Sequence, residues 1–439
     1  MNATLTMPRF ATGRLDVPLV VVASLLAIGA SFVVANGSGI VLRSVAATIG
    51  GASIAIVFAS MNRLELALYA FIPLLTAVRA EPAPVDFMTV GLLGALALRG
   101  ELRTFVPPRI VLIAIGLFLL SYAASLLGAQ DRDLALKYTA ATLLVVGAGY
   151  VAFQLVARNV GIAERAYVVA GLILGIEVII AIVPSPIAEP FRMDRFRIEG
   201  LFKDPNVFGP FVAPAIALLC ARWPSLHWSV RTGAILLALL PVPASLARGA
   251  IVVVALTLLV LGLVALYRRW RTTAIFCFGF LGAGLAALIA FVLFSGASLA
   301  RERLSTIFQG YDAVRFGGQA AGLSWFQQHP ISFGLGPGNY DYVLGLPSHQ
   351  TFLRMLVETG PISLIAFVLI LWTSIRMIRS ADPGTLAWVA GLIGFTAYSL
   401  LIDAVHWRHF WVVVAIPLAI AARDQLRGLR PGRPETSTS

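Results

Sequence analysis

The feature that most constrains this chain is a series of long apolar segments that recurs along nearly its whole length. A helix needs about 20 mostly apolar residues to cross the hydrocarbon core of a bilayer. We therefore predict an all-α polytopic membrane protein with about 14 transmembrane helices, or 12 if one pair merges or is lost. The segments are residues 17–35, 40–60, 64–78, 86–98, 109–128, 135–157, 165–184, 206–221, 231–247, 250–267, 273–295, 351–376, 385–403 and 407–422.

The composition excludes a soluble fold of this length. Hydrophobic residues make up 59% of the chain and charged residues 12%, whereas soluble proteins contain roughly 45–50% and 25%. Lys and Arg outnumber Asp and Glu by 33 to 21, which in a soluble protein would suggest a nucleic-acid partner. In a membrane protein the side on which each cation falls is more informative, and we expect no nucleic-acid partner. Cys220 and Cys277 lie within apolar segments and predict buried thiols without a disulfide or metal site.

The distribution of arginine orients the predicted helices, because cytoplasmic loops are enriched in Lys and Arg. If the N-terminus is cytoplasmic and the spans alternate, 19 of the 33 basic residues fall on the cytoplasmic side, together with the C-terminus. They are Arg9, Arg14, Arg63, Arg99, Arg103, Arg109, Arg158, Arg165, Arg222, Arg231, Arg268, Arg269, Arg271, Arg376, Arg379, Arg423, Arg427, Arg430 and Arg433. The chain then divides into helices 1–7 (residues 1–184), a short outer loop (185–205), helices 8–11 (206–295), a large outer loop (296–350), helices 12–14 (351–422) and a cytoplasmic tail (423–439).

Ten of the 14 cations outside this set cluster on the opposite side, in two loops and at helix ends. They are Arg192, Arg195, Arg197 and Lys203 in the short outer loop, Arg301, Arg303 and Arg315 in the large one, and Arg248, Arg354 and Arg408 at outer helix ends. Taken singly, each is also explained by a long loop that escapes the positive-inside rule or by an arginine that snorkels from a helix end. As a group they predict an outward-facing cationic site at membrane level, which suits an anionic lipid headgroup.

Two outer stretches place polar residues at helix starts. In the stretch from Arg195 to Gly209, Asp204, Pro205 and Asn206 predict a turn into the next helix. Asn206 would then lie near a helix N-terminus, where free N–H groups and the helix dipole favour an anion, although a capped turn without a ligand explains the same residues. In Ala244-Ser-Leu-Ala-Arg248-Gly249, small residues beside Arg248 allow a ligand to approach closely, and a helix-end anchor is the alternative.

The third outer stretch combines a glycine-rich turn with a histidine. The cluster from Gly334 to Tyr340 leads to His349 and Gln350, directly before the next span. An imidazole at this loop-to-helix junction has a pKa near neutrality and could deprotonate a hydroxyl group, whereas a structural histidine is the alternative. Arg354 and Glu358 are four residues apart, so they share a helix face and could form an intramembrane salt bridge.

These stretches together resemble the O-antigen ligase/polymerase superfamily of membrane glycosyltransferases. The resemblance rests on an Arg-x-x-Gly-x-Phe-x-x-Pro-Asn loop from Arg197 to Asn206, on Arg248-Gly249, and on His349-Gln350 followed after nine residues by Gly360. Ser363 stands where the family pattern has a second glycine, and Ala247 stands where it has a serine. The resemblance covers roughly residues 195–410.

The resemblance implies a GT-C-like enzyme of the bacterial inner membrane, with its active site facing the periplasm and both termini in the cytoplasm. Such an enzyme takes a glycan from undecaprenyl diphosphate and transfers it, with inversion, to an acceptor sugar hydroxyl. It needs no metal, nucleotide sugar or other cofactor. Its partners would be the lipid-linked oligosaccharide, the acceptor glycan, either a lipid-linked repeat unit or lipid A–core, and the bilayer.

Residue roles follow from this resemblance. His349 would orient or deprotonate the acceptor hydroxyl, and Arg197, Arg248 and Arg354 would bind the diphosphate with Arg195 in support. Further substrate-binding candidates are Lys203, Asn206 and Arg408.

Several activities fit these motifs. We favour a polymerase of O-antigen or exopolysaccharide, because the number of spans and the Leu-Phe-Lys-Asp-Pro-Asn loop resemble such polymerases most. A ligase that transfers the glycan to lipid A–core, or a transferase that modifies proteins, would need the same donor site. A flippase or other transporter should instead place its cations deep in a cavity between related halves. A non-catalytic scaffold would not require His349 and the arginines to converge.

Overall fold

The computed structural model describes residues 56–57, 60–79, 82–183, 186–193, 197–223, 226–294, 311–380 and 382–428. The predicted span at 17–35, most of the span at 40–60, and the candidate site residue Arg195 lie outside these ranges. So do Arg301 and Arg303 of the large outer loop.

The described chain is all-helical, and no strand occurs within it. This is the expected architecture for a chain in lipid, since a helix satisfies its backbone hydrogen bonds internally. The helices are α1 (Leu68–Leu74), α2 (Pro84–Leu98), α3 (Arg109–Ser125), α4 (Arg132–Arg158), α5 (Val160–Ile182), α6 (Phe208–Ala221), α7 (Trp228–Leu239), α8 (Pro241–Ala244), α9 (Arg248–Tyr267), α10 (Arg271–Phe294), α11 (Tyr311–Gln328), α12 (Tyr340–Leu344), α13 (Thr351–Ile375), α14 (Pro383–Tyr398) and α15 (Arg408–Gly428).

The helices fall where the apolar segments predict them. Each of the twelve segments from 64–78 to 407–422 overlaps a helix, and the segment 231–247 is divided at Pro241 into α7 and α8. Within the described ranges, six helical stretches are long enough and apolar enough to cross a membrane. They are Arg109–Gly128, Arg132–Arg158, Val160–Ile182, Arg248–Tyr267, Thr351–Arg379 and Arg408–Leu426. The total of 14 spans stays a prediction.

Salt bridges between helices mark one end of the bundle. Arg222, directly after α6, pairs with Glu164 in the second turn of α5 at 3.1 Å and with Asp382, the N-cap of α14, at 2.9 Å. Arg99 and Arg158 both lie 2.7 Å from Glu101, which joins the ends of α2 and α4. We call this the arginine end, and its basic residues belong to the group that the sequence assigns to the cytoplasmic side.

The opposite end of the same helices holds the sequence motifs. Towards the end of α5, the buried carboxylate of Glu177 accepts a hydrogen bond from the backbone N–H of Leu201 at 3.3 Å. The polypeptide then returns along α6 to the arginine end, so α5 and α6 are antiparallel. We call this second end the motif end, because it carries Arg197, Arg248 and His349.

Helix α13 is broken at Gly360. This residue has φ +82°, a left-handed value that favours glycine, and Pro361 has no N–H to donate to the carbonyl of Val357. The rings of Phe352 and Phe367 are 5.8 Å apart, although 15 residues of straight helix would separate them by about 22 Å. Segments 351–359 and 361–375 therefore fold towards each other, and the predicted span 351–376 is a bent pair of helices.

The motif end contains a small second hydrophobic core near this break. Leu335, Tyr340 and Val357 form a buried cluster distinct from the main core, and aromatic side chains of α11 pack on it. The hydroxyl of Tyr340 donates to the carbonyl of Gly318 in α11 at 2.7 Å. We call residues 311–350 the cap. In residues 311–350, the described part of the stretch that the sequence predicts as a large outer loop, the chain forms two helices, α11 and α12.

Candidate functional site

The loop from Arg197 to Asn206 is fixed by backbone contacts on several sides. Gly200, at φ +59°, lies directly on the Glu177 carboxylate, and a Cβ at this position would overlap it. The carbonyl of Leu201 accepts hydrogen bonds from the N–H groups of Val78 and Arg79, at 3.1 and 2.9 Å. Phe202 is fully buried. The loop is therefore a rigid element, which its sequence alone does not indicate.

The end of this loop forms the turn that the sequence predicts. Asp204 accepts a hydrogen bond from the N–H of Asn206 at 2.8 Å and caps a short 3-10 turn, Pro205–Val207, that leads into α6. Asn206 is half-buried at this helix start, and Lys203 is exposed beside it. The predicted Asp-Pro-Asn turn is confirmed.

The first two motifs contact each other in the structure. The N–H of Ile198 donates to the carbonyl of Ala244 at 3.1 Å, and the Arg197 Nε donates to the carbonyl of Ser245 at 3.2 Å. Three residues after Ser245, Arg248 begins α9 with its side chain exposed. The residue at the N-cap, Ala247, offers no side-chain acceptor to the helix. Arg197 and Arg248 are thus brought to one turn, although 51 positions separate them in the chain.

His349 lies at the same end, immediately before α13. Its φ of +45° is a strained left-handed value for a residue with a side chain, and such values often mark functional sites. Gln350 is the N-cap of α13 and accepts the Leu353 N–H at 2.6 Å. The N–H of Thr351 donates to the carbonyl of Ser399 at 3.0 Å. His349 is therefore fixed by a capped helix start that is bound to the end of α14.

The charges around His349 favour its neutral form. Burial lowers the pKa of the imidazole below its usual 6.5, and the positive charges of Arg315 and Arg354 lower it further, against the opposite effect of Asp341 and Asp204. At neutral pH the ring is thus unprotonated and can accept a proton from a bound hydroxyl.

Tyr398 completes this group and is not among the predicted site residues. Its ring, in a residue only 4% exposed, packs on Gly249, where a Cβ would overlap its ring carbons and hydroxyl. Arg197, Arg315 and Asp204 lie close enough to act electrostatically on the hydroxyl. Gly249 directly after Arg248 is the signal in the sequence, because glycine permits this close approach. The glycine does not indicate that Tyr398 is the residue that packs on it.

Arg354 belongs to a different set of contacts. Its guanidinium lies 3.0 Å from Glu358, 3.1 Å from Asp403 and 3.9 Å from Asp341, and its side chain is 11% exposed. The i,i+4 salt bridge with Glu358 that the sequence suggests is present. The charge of Arg354 is compensated within the protein, which separates it from the diphosphate-binding role we predict above.

The glycine-rich stretch from Gly334 to Tyr340 is entirely buried. The N–H of Leu335 donates at 2.9 Å to the carbonyl of Val357, which Pro361 leaves without a helical donor. The side chain of Asn339 forms two hydrogen bonds with the backbone of Asp131, at 2.8 and 3.1 Å. This motif therefore joins the broken helix, the cap and the start of α4, and its contacts are structural.

Arg408 is bound to a carboxylate of a distant helix. It forms a two-pronged salt bridge with Asp86, at 2.5 and 2.6 Å, and Asp86 also accepts the N–H of Ala83 at the start of α2. His409 is buried among the rings of Phe202, Phe211, Phe395 and Trp407. The side chain of Arg408 thus connects α15 to α2.

Metal-binding geometry does not occur in the described ranges, where no three His, Cys, Asp or Glu side chains are grouped to hold an ion. An Asp-x-Asp sequence is present at Asp131 and Asp133, but Asp131 caps α4 by accepting the N–H of Leu134 at 2.9 Å. Cys220 and Cys277 are buried free thiols, as the sequence predicts.

No protein-family model and no curated protein sequence matches this chain.

Proposed function

We propose that this chain is a membrane glycosyltransferase that takes a glycan from undecaprenyl diphosphate and passes it to an acceptor sugar hydroxyl. The observation that carries the proposal is the convergence of Arg197, Arg248 and His349 at one end of the bundle, around Tyr398. These residues come from three separate stretches of sequence, and the same stretches carry the resemblance to O-antigen ligases and polymerases. In this proposal the protein has about 14 spans, a GT-C-like fold, a periplasmic motif end and cytoplasmic termini in a bacterial inner membrane.

The proposed donor site consists of cations that face the solvent side of the motif end. Arg248 is exposed at the start of α9, where the helix dipole adds positive potential, and Arg197 donates a hydrogen bond to the turn that precedes α9. Arg315 of the cap acts on His349 and Tyr398 from another side. Preorganised positive charge of this kind stabilises the negative charge that develops on a departing diphosphate. Arg354 has no direct part in this site, because three carboxylates surround it.

The reaction is a single displacement at the anomeric carbon. The imidazole of His349 accepts the proton of the acceptor hydroxyl, and the hydroxyl oxygen forms the new glycosidic bond. The bond between the anomeric carbon and the diphosphate oxygen breaks on the opposite face, so the carbon is inverted and undecaprenyl diphosphate leaves with the electron pair. The apolar part of the donor requires lipid-facing surface near the cations. An apolar cleft of about 270 Å³ lies between residues of α13 and the C-terminal part of α14, lined by Phe352, Ile375, Ile393, Thr396, Ala397 and Leu400.

Within this class we propose a polymerase, with a ligase as the second candidate. The test is to incubate the purified protein with an undecaprenyl-diphosphate oligosaccharide, with and without lipid A–core, and to separate the products by size. A ladder of products without core supports the polymerase. Transfer only in the presence of core identifies a ligase, and a protein that gives no product but moves the lipid across vesicles is a flippase.

A further inference from the structure

Tyr398 combines burial of its ring with proximity of its hydroxyl to charged groups. The ring packs on Gly249, next to Arg248, and is fixed by the backbone of α14. The carbonyl of Ser399, the next residue, accepts the N–H of Thr351, two residues after His349. Tyr398 therefore stands between the Arg248 turn and the His349 junction, on a helix end rather than on a loop.

Charged groups of opposite sign from the first loop and from helix α11 lie near the hydroxyl. Asp204 and Arg197 of the first loop and Arg315 of the cap all act on it. The hydroxyl is one of the side-chain atoms that lie against Gly249, so it is held next to Arg248. A phenol keeps its proton up to about pH 10, so at neutral pH it is a donor for an anionic oxygen.

We propose that the Tyr398 hydroxyl is a substrate-binding group that donates a hydrogen bond to a diphosphate oxygen of the donor lipid. This inference rests on the proposed function, and it adds a neutral donor to a site that otherwise consists of cations. The ring is packed on Gly249, so its hydroxyl has a fixed position and constrains the orientation of the diphosphate. In this role Tyr398 orients the bound diphosphate for in-line attack, and the cations supply most of the attraction.

The experiment compares wild type with Y398F, which removes the hydroxyl and keeps the ring on Gly249. We expect kcat/KM with undecaprenyl-diphosphate oligosaccharide to fall about 10- to 100-fold, the usual loss for a hydrogen bond to a charged group. Binding of undecaprenyl diphosphate in nanodiscs should weaken similarly, while the melting temperature stays unchanged. Y267F is the matched control, because Tyr267 is 84% exposed at the other end of α9, and it should behave as wild type.

A second variant keeps the hydroxyl and moves it. G249A adds a Cβ that displaces the ring, so it should lower the affinity for the diphosphate as Y398F does. Y398F with wild-type turnover and wild-type affinity would overturn the inference, even if the wild type is an active transferase. If the wild type transfers no glycan yet binds undecaprenyl diphosphate, the proposed function fails, and weaker binding by Y398F alone still supports the contact. A wild type that binds no diphosphate overturns both.

Discussion

Two sets of arginines at the motif end differ in what surrounds them. Arg354 lies among Glu358, Asp403 and Asp341 and is almost completely buried. Arg197 donates to a backbone carbonyl, and Arg248 is exposed at a helix start. The first set joins α13, the cap and the turn before α15, whereas the second faces the space beside His349 and Tyr398. The carboxylates around Arg354 thus favour a role in stabilising the fold, whereas Arg248 is exposed at a helix start and can be reached by an anion.

The largest effect on turnover should come from His349, the proposed base beside Arg197 and Arg248. H349A should reduce kcat about 10²–10⁴-fold, the usual contribution of a positioned general base. The measurement is single-turnover transfer with purified lipid-linked glycan. H349A with wild-type turnover would remove this residue from the mechanism.

The pH dependence of wild-type turnover tests the same residue. Because the pKa of His349 is lowered and the neutral ring is the active form, kcat/KM should be constant around neutrality. It should fall on the acid side, with a midpoint below 6.5. A midpoint above this value would mean that the imidazole is not shielded as the structure indicates.

The largest effect on stability should come from Arg354 in the first set. R354A leaves Glu358 and Asp403 buried without their cation, so the free energy of unfolding should fall by about 3–5 kcal/mol. Reversible unfolding in mixed detergent and SDS provides the measurement. R63A is the control, since Arg63 pairs with Glu65 at the surface and such pairs contribute about 1 kcal/mol or less. Equal stability of the two variants would contradict the contrast between the sets.

Unlike R354A, the variants R197A and R248A should lose turnover and keep their stability. Each removes one cation from the proposed donor site, so turnover should fall about 10²–10³-fold. The melting temperature should change little, because Arg248 is exposed and Arg197 is half-buried. If R197A instead unfolds the protein without a specific loss of transfer, the loop it belongs to is only structural.

The smallest effect on stability and turnover should come from Gln350, the N-cap of α13 beside His349. Q350A removes the acceptor for the Leu353 N–H and should cost about 1 kcal/mol of stability, as N-cap losses do. Q350N offers a shorter acceptor and should recover part of it. Turnover should fall less than in R197A, because Gln350 acts on His349 only through the backbone.

The sequence predicts the features that depend on neighbouring residues. Apolar runs locate the helices, Asp204 to Asn206 locate the turn before α6, and the spacing of Arg354 and Glu358 predicts their salt bridge. The features it misses depend on distant pairs. Arg408 meets Asp86 across 322 positions, and no local pattern announces that contact.

The break in α13 has a recognisable signal in the sequence. Gly360-Pro361 within an apolar run is a sequence that breaks helices, yet hydropathy alone treats 351–376 as one span. The role of the glycine-rich motif follows from this break, because Leu335 supplies the donor that Pro361 lacks. The order of residues does not indicate that the Leu335 N–H is the group that binds the carbonyl of Val357.

The most direct test of the central claim is equilibrium binding of undecaprenyl diphosphate to three proteins in nanodiscs. They are the wild type, the double variant R197A/R248A and the control R63A. We predict that the double variant loses at least 10-fold in affinity, that R63A binds as wild type does, and that undecaprenyl monophosphate binds more weakly to the wild type. Equal affinity of all three proteins for the diphosphate would contradict the assignment of the motif end as the donor site.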